Sequence, residues 1–355
     1  MREKNVQCLG DGSFEILRAC LTKLEIDNNL TCSLVSSILA IGAALSALPA
    51  GVLVQRIGRR PTILLLAVPF MVNWLLTIFA NGAGMLIAAR FFAGIATGGI
   101  CVTAPMYIGE IAETSIRGSL GAFFKDVDDA ARQRAGMLSM LTNKASRMAL
   151  VCGLGLMFFQ QFSGINAVIF YTNNIFQSAG SNIPPAIATI IVGVVQTIAT
   201  YISSLLVEKA GRRLLLLQSC IIMGLCLIIL GTYFKLQAGG ASVASFGWLP
   251  LVCLVLFIIS FSLGFGPIPW MMMAELFSVE FRGSASGITV VANWCLVFIV
   301  TLCFPLMKDA IGIYSCFWFF AAFMVICVFF VFFLIPETKG KTVSQIQAIL
   351  GGKNV

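Results

Sequence analysis

The sequence contains no histidine and few charged residues. Only 11% of its 355 residues are Asp, Glu, Lys or Arg, and the mean hydropathy is +0.97. A soluble globular domain carries roughly 25% charged residues, so this composition excludes a soluble enzyme or binding module and indicates an integral membrane protein. The absence of histidine also removes the usual proton shuttle and metal ligand.

Motifs for catalysis or metal binding are absent as well. The twelve cysteines are scattered without CxxC spacing, so they are interpreted as small buried hydrophobes rather than as a disulfide or metal framework. No GxGxxG motif and no nucleophile–base pair occurs. The sequence therefore predicts that the protein is not an enzyme and needs no cofactor or metal.

Nine apolar stretches are each long enough to cross a bilayer, which takes about 20 residues. Lipid offers no partners to backbone polar groups, so each stretch is predicted to be a helix. The stretches cover about residues 33–54, 61–80, 84–108, 148–170, 184–207, 214–234, 247–274, 284–307 and 311–335.

Basic residues cluster in the short loops between these stretches, so the net charge of +8 does not indicate nucleic-acid binding. By the positive-inside rule the basic loops are cytoplasmic. This places the C-terminus inside and, nine spans earlier, residues 1–31 outside. Asn29 begins a glycosylation sequon on the predicted exterior side, very close to the first span. The basic loop residues are Arg56, Arg59, Arg60, Lys209, Arg212, Arg213, Lys339, Lys341 and Lys353.

Two motifs recur in the same order. RIGRRP (56–61) returns as KAGRRL (209–214), and GEIAETSIRG (109–118) returns as AELFSVEFRG (274–283), both with Glu-x6-Arg-Gly spacing. Two spans separate the motifs each time, which indicates an internal repeat. The second half has six spans, whereas the first half lacks its first span and its last two. GSLGAFF (118–124) then looks like the start of a missing fifth helix.

The repeat predicts an incomplete N-terminal half over residues 32–124 with three spans and a cytoplasmic linker over 125–146. A complete six-helix half follows over 147–335, and residues 336–355 form a cytoplasmic tail. The expected fold class is an all-α membrane protein with about nine of twelve transmembrane helices.

Two six-helix halves with GRR loops resemble the major facilitator superfamily, in which the substrate site lies near the midplane between repeats. FFQQFSGINAVIFY (158–171), GFGPIPWMMMAELF (264–277), PMYIGEIA (105–112) and PETKGKT (336–342) are similar to motifs of its sugar porters. The residues of the first two motifs are most similar to those of the insect facilitated trehalose transporters. The resemblance covers about residues 32–124 and 146–345. It implies a truncated major facilitator fold.

Gln160 and Gln161 are adjacent amides deep in an apolar span. Polar side chains at this depth are costly and usually face a bundle interior or cavity. One interpretation is that they bond neighbouring helices; the other is a sugar site, because sugar hydroxyls need groups that both donate and accept. The resemblance implies sugar contacts by Gln160, Gln161, Asn166, Gln196, Trp270 and Asn293. Val297 stands where similar proteins often have a second amide, and its apolar side chain offers no hydrogen bond to a sugar.

Pro267 and Pro269 remove backbone donors and are predicted to break their helix. A broken helix at membrane depth is tolerated where it lines a cavity or is buried in protein, so the two prolines are interpreted as a gate hinge, with Trp270 stacking on the sugar.

Charged residues of the two repeated motifs are predicted to form ion pairs that close the cytoplasmic side. Exposed pairs contribute about 0–1 kcal/mol each, which suits a lock that opens in every cycle. The alternative is that these charges only set topology. Gln55 stands where similar proteins place an acid. The predicted gate residues are Arg59, Arg60, Glu110, Arg117, Glu208, Arg212, Arg213, Glu275, Arg282 and Glu337.

Arg90 is the only acidic or basic residue within the nine stretches. A proton symporter needs an intramembrane carboxylate, so facilitated sugar exchange at the plasma membrane is favoured. An acid on the missing first helix is the open alternative. The expected partners are a sugar, trehalose or hexose, and the lipid bilayer, without nucleic acid and with no oligomeric state implied. The competing hypothesis is a truncated form that does not transport.

Overall fold

The computed structural model describes residues 29–111, 143–169, 185–240, 246–278 and 282–352. Within these ranges the regular elements are helices. Nine helical segments of the described chain are long and apolar enough to cross a membrane, as predicted. The protein is therefore an all-helical, multi-pass membrane protein.

The helices are numbered α1 to α11 in chain order. They are α1 (Asn29–Ile57), α2 (Arg59–Ile78), α3 (Ala83–Ile111), α4 (Lys144–Phe162), α5 (Pro185–Ala210), α6 (Arg212–Ala238), α7 (Leu249–Leu263), α8 (Ile268–Leu276), α9 (Arg282–Ile311), α10 (Ile313–Leu334) and α11 (Val343–Leu350). Seven of the nine predicted spans agree with single helices to within about four residues at each end. The predicted spans 148–170 and 247–274 each cover a helix that is interrupted.

Helix α11 lies in the segment that was predicted only as a tail. It begins with a capping box, in which Gln345 N–H donates to Thr342 Oγ1 at 3.4 Å and Thr342 N–H donates to Gln345 Oε1 at 2.9 Å. The sequence signal is the Thr-x-x-Gln spacing before an apolar run.

The chain divides into two compact units. One comprises Met1–Ser37, Gly155–Met271 and Ile299–Lys339; the other comprises Ile38–Leu154, Met272–Phe298 and Gly340–Val355. In the first unit α6 packs against α5, α7 and α10, and α7 also packs against α5. Its core is aromatic in part, with Phe257, Phe265 and Phe317 almost fully buried. The division at 32–124 and 147–335 stays a prediction.

In the second unit α2 packs along α3, and α3 approaches α1 closely at two glycines one helical turn apart. A Cβ built on Gly94 would lie 2.1 Å from the carbonyl oxygen of Leu39, and one on Gly98 would lie 2.2 Å from that of Ala43. Small residues spaced four apart let membrane helices approach in this way.

Large apolar side chains are exposed on the outer faces of the helices. Leu64 is 66% exposed, Met71 61% and Phe333 72%. Apolar patches of this kind are a liability in water, whereas in a bilayer they contact lipid tails.

Candidate functional site

The span predicted over 247–274 is interrupted in its middle. Helix α7 ends at Leu263 and α8 begins at Ile268. In a continuous α-helix the N–H of residue i donates to the carbonyl of residue i−4. Pro267 and Pro269 have no N–H, so the carbonyls of Leu263 and Phe265 lose their intrahelical donors.

Side chains from two neighbouring helices donate to those two carbonyls. Ser203 Oγ on α5 donates to Leu263 O at 3.3 Å. Gln160 Nε2 on α4 donates to Phe265 O at 2.6 Å and to Gly266 O at 3.2 Å. Because lipid cannot satisfy a freed backbone group, these bonds make a break at membrane depth tolerable.

Gln160 is thus bonded to the broken helix. It is only 4% exposed, and a glutamine amide has two N–H donors, which the carbonyls of Phe265 and Gly266 can take up. Its Oε1 is an acceptor that suits a sugar hydroxyl. The interpretation as helix–helix bonding therefore holds for its nitrogen, while its contact with a sugar stays a prediction.

Gln161 and Asn166 are brought together by a turn that the sequence interpretation missed. After α4 ends at Phe162, Ser163 and Gly164 form a turn, and residues 165–169 are helical again. Gly164 has φ +81°, and a Cβ there would lie 2.9 Å from the Phe320 ring. Asn166 Nδ2 donates to Gln161 Oε1. The Ser-Gly dipeptide inside an apolar run is a signal of such an interruption.

Helix α4 contacts α10 through aromatic rings. Phe158 and Phe162 stack with centroids 4.4 Å apart, and Phe323 lies 4.7 Å from Phe162. Aromatic pairs at these distances contribute about 0.5–1.5 kcal/mol beyond their buried area. They stabilise the packing of the helix that carries the amides.

The other predicted sugar contacts occupy three different helices. Trp270 is half-buried on α8 immediately after the break, and Gln196 is half-buried on α5. Asn293 is 2% exposed on α9 and belongs to the second unit, where the apolar Val297 is 8% exposed. The structure thus groups Gln160, Gln161 and Asn166 locally.

The motif KAGRRL contacts the segment after the last span. Glu337 Oε1 accepts from Arg212 N–H at 3.1 Å and from Lys339 N–H at 3.0 Å, and Glu337 Oε2 accepts from Arg213 N–H at 3.1 Å. Burial raises the pKa of Glu337, but these backbone hydrogen bonds outweigh it and lower the pKa below its ordinary value. A carboxylate at the start of α6 also suits the positive end of the helix dipole.

The guanidinium groups of this motif contact backbone carbonyls. Arg213 Nη2 donates to Phe332 O and its guanidinium lies 5.4 Å from the Phe332 ring centroid. Arg212 Nη1 donates to Val207 O at 3.4 Å. Glu337 therefore acts as a cap for α6, and its predicted ion pairs with the arginine side chains stay a prediction.

The remaining predicted gate residues are only partly described. Arg60 is exposed and Glu275 is half-buried. Arg117 lies outside the described residues. The side chains of Asn29, Arg59, Glu110, Glu208 and Arg282 also fall outside the part of the chain that the structure describes.

The nine cysteines whose side chains the structure describes are free thiols. Cys220 Sγ and Cys327 Sγ lie 3.3 Å apart between α6 and α10. In these ranges no three or more His, Cys, Asp or Glu side chains are grouped as a metal site.

Two matched glycines test the cap at α6. Gly211 and Gly58 immediately precede α6 and α2 and have φ of +91° and +89°. A Cβ on Gly211 would lie 2.9 Å from Glu337 Oε2, whereas one on Gly58 would meet, among described residues, only Pro61 Cδ at 3.9 Å. With ψ of 152° and 171°, Gly211 and Gly58 both lie in a backbone region that is essentially restricted to glycine, so both alanine variants carry a similar strain of about 1–3 kcal/mol. We expect Gly211→Ala to lower the melting temperature further than Gly58→Ala does. The additional Cβ displaces the Glu337 carboxylate, and the loss of a cap lowers the free energy of unfolding by about 0.5–2 kcal/mol.

Differential scanning fluorimetry of the purified protein measures this difference. In a Glu337→Ala background the carboxylate is already gone, so the two glycine variants should become equivalent. If Gly211→Ala and Gly58→Ala are equally destabilising in the unmodified chain, Glu337 does not cap α6.

The sequence matches the family described as "Sugar (and other) transporter" over residues 12–127 and 123–350. The facilitated trehalose transporter Tret1 of Drosophila virilis is 36% identical over 402 residues, covering 90% of this chain and 44% of the relative. Trehalose transporter 1 of Drosophila melanogaster is 36% identical over 415 residues, covering 94% of this chain and 48% of the relative. The chain spans about half the length of these relatives, which are named as transporters and not as enzymes.

Two solved structures show the same fold. The proton:xylose symporter XylE bound to 6-bromo-6-deoxy-D-glucose has a TM-score of 0.73 and 21% identity, covering 98% of this chain and 95% of that chain. The inward open conformation of the xylose transporter XylE from E. coli has a TM-score of 0.73 and 22% identity, covering 97% and 96%. The likeness confirms the predicted major facilitator fold.

Proposed function

The chain belongs to the sugar transporter family of the major facilitator superfamily, and we propose on that basis that it carries the sugar site of a facilitative carrier working by alternating access. Trehalose is the proposed substrate, because relatives at 36% identity are named trehalose transporters. A hexose is the alternative within the same class.

The observation that carries the proposal is a buried pair of amides beside a broken membrane helix. Gln160 and Gln161 are 4% and 3% exposed, Asn166 bonds to Gln161, and Trp270 follows the break. Amides that donate and accept, together with an aromatic face, suit an uncharged polyol.

Passive exchange rather than proton coupling is supported by the charge distribution. Arg90 is the only acidic or basic residue within the predicted apolar stretches, and intramembrane proton relays use carboxylates or histidine. We propose the plasma membrane as the location, with Val355 in the cytoplasm because of the basic loops. Protection of a C-terminal tag from protease added outside intact cells tests this orientation.

Sugar binding by the purified chain tests the proposal. Trehalose should raise the melting temperature of the detergent-solubilised protein by a few degrees, because a ligand at 100 times its Kd stabilises by about 2.7 kcal/mol. Glucose tests the hexose alternative, and the acyclic polyol mannitol is the control. If neither trehalose nor a hexose shifts the transition, the chain has no such sugar site.

A second candidate function is sugar binding without transport. The alignment with Tret1 of Drosophila virilis has 402 positions and includes 90% of the 355 residues of this chain, which is about 320. About 80 aligned positions of the relative therefore have no counterpart in this chain. Two spans need only about 40 residues, so this length accommodates the two helices proposed to be missing after residue 124 together with their loops.

A further inference from the structure

The bend between α7 and α8 is held by hydroxyl groups on two neighbouring spans. We propose that Ser203 and Ser219 are positioning residues of this hinge, which set the bend that carries Trp270 without contacting the sugar themselves. The proposal rests on the proposed function only where it concerns sugar affinity; its structural part stands on the hydrogen bonds alone.

Ser219 on α6 links the end of α7 to the unwound segment that follows it. Its Oγ donates to Ser260 O on α7 at 2.8 Å and accepts from Phe265 N–H at 3.4 Å. Phe265 N–H would donate to Phe261 O in a continuous helix, but Phe261 O accepts instead from Gly266 N–H at 2.7 Å. The hydroxyl therefore provides the acceptor that Phe265 N–H needs where the helix unwinds.

Ser203 on α5 completes the arrangement from a second side. Its bond to Leu263 O at 3.3 Å supplies the donor that Pro267 lacks, and the side chain is fully buried. A serine hydroxyl can donate and accept at once, so Ser219 satisfies two backbone groups and Ser203 one. Together with Gln160, three spans fix the backbone between Ser260 and Gly266.

The packing at Gly264 shows how closely Ser219 is fitted to the break. A Cβ on Gly264 would lie 2.5 Å from Ser219 Cβ and 2.6 Å from Leu215 O. Helices α6 and α7 therefore touch through backbone at the turn. Met223 Sδ of the same helix is a second, weaker acceptor for the Ser219 hydroxyl at 3.3 Å, whereas Ser260 O lies at 2.8 Å.

Hydrogen–deuterium exchange of the whole purified chain tests the hinge without any sugar. In Ser219→Ala we expect the amides of residues 261–271 to exchange roughly five- to tenfold faster, as for the loss of one buried hydrogen bond. Ser203→Val should have the same effect. Threonine has the shape of valine but keeps the hydroxyl, so the amides of Ser203→Thr should exchange as those of the unmodified chain do. Thr232→Val is the matched control, because Thr232 Oγ1 bonds to Ile228 O of its own helix at 2.9 Å.

Sugar affinity supplies the second readout. Ser219→Ala and Ser203→Val should weaken trehalose binding several-fold, and Ser203→Thr should restore it. If exchange at 261–271 is unchanged in both variants, or rises equally in all helices, the hinge proposal is wrong. If the unmodified chain binds no sugar but local exchange still responds as expected, the proposed function fails and the hinge stands.

Discussion

Replacing Trp270 by alanine is expected to lower trehalose affinity by about tenfold or more, since 1.4 kcal/mol already corresponds to about a factor of ten. The variant would lose the stacking that we propose between the indole and the sugar, together with the buried area of the indole. Gln161→Ala should have an effect of similar size, because it leaves a sugar hydroxyl and Asn166 Nδ2 without an acceptor, at about 1–3 kcal/mol each. Isothermal titration with trehalose measures both.

Matched residues away from the site provide the controls. Trp248 is 55% exposed and Gln218 is exposed on α6, so their alanine variants should bind trehalose as the unmodified chain does. Normal affinity in Trp270→Ala or Gln161→Ala, with an unchanged melting temperature, would remove that residue from the sugar site.

The number of spans and the break at Pro267 were predictable because each follows from local chemistry. About 20 apolar residues must form a helix in lipid, and a proline without N–H removes an intrahelical bond wherever it lies. Neither argument needs to know what surrounds the residue. The capping box of α11 and the turn at Gly164 have local signals of the same kind, which the sequence interpretation did not use.

The partners of the polar side chains could not be predicted in this way. Gln160 donates to a carbonyl 105 residues away in the sequence. Nothing in the local sequence indicates that its hydrogen-bond partners differ from those of the adjacent Gln161. In the sequence, Ser203 and Ser219 are ordinary polar residues of a membrane span. Their role follows only from their tertiary contacts with the helix break. Likewise, the charge of Glu337 predicts an ion pair, but nothing local shows that its carboxylate accepts from the backbone amides of Arg212 and Arg213.

The internal repeat leads to a prediction about the whole chain. The family match is split into segments that meet at residues 123–127, where the sequence predicts that a fifth helix begins and gives way to a charged linker. We propose that two spans of the first half are missing there. Alternating access needs two opposed repeats that move about a central site. With fewer helices in one repeat, lipid or a collapsed bundle would occupy that side, and neither can bond sugar hydroxyls.

We therefore expect the 355-residue chain, reconstituted alone in liposomes, to bind trehalose but show no saturable uptake of radiolabelled trehalose. The relative named trehalose transporter 1, reconstituted alongside, checks that the vesicles are sealed. Inserting the segment of that relative that aligns with the interruption between residues 118 and 146 restores two spans and keeps the orientation of the second half, so uptake gained by this chimera would assign the defect to the missing helices. Saturable uptake by the unmodified chain that is lost in Trp270→Ala would instead show that the chain transports without those two spans.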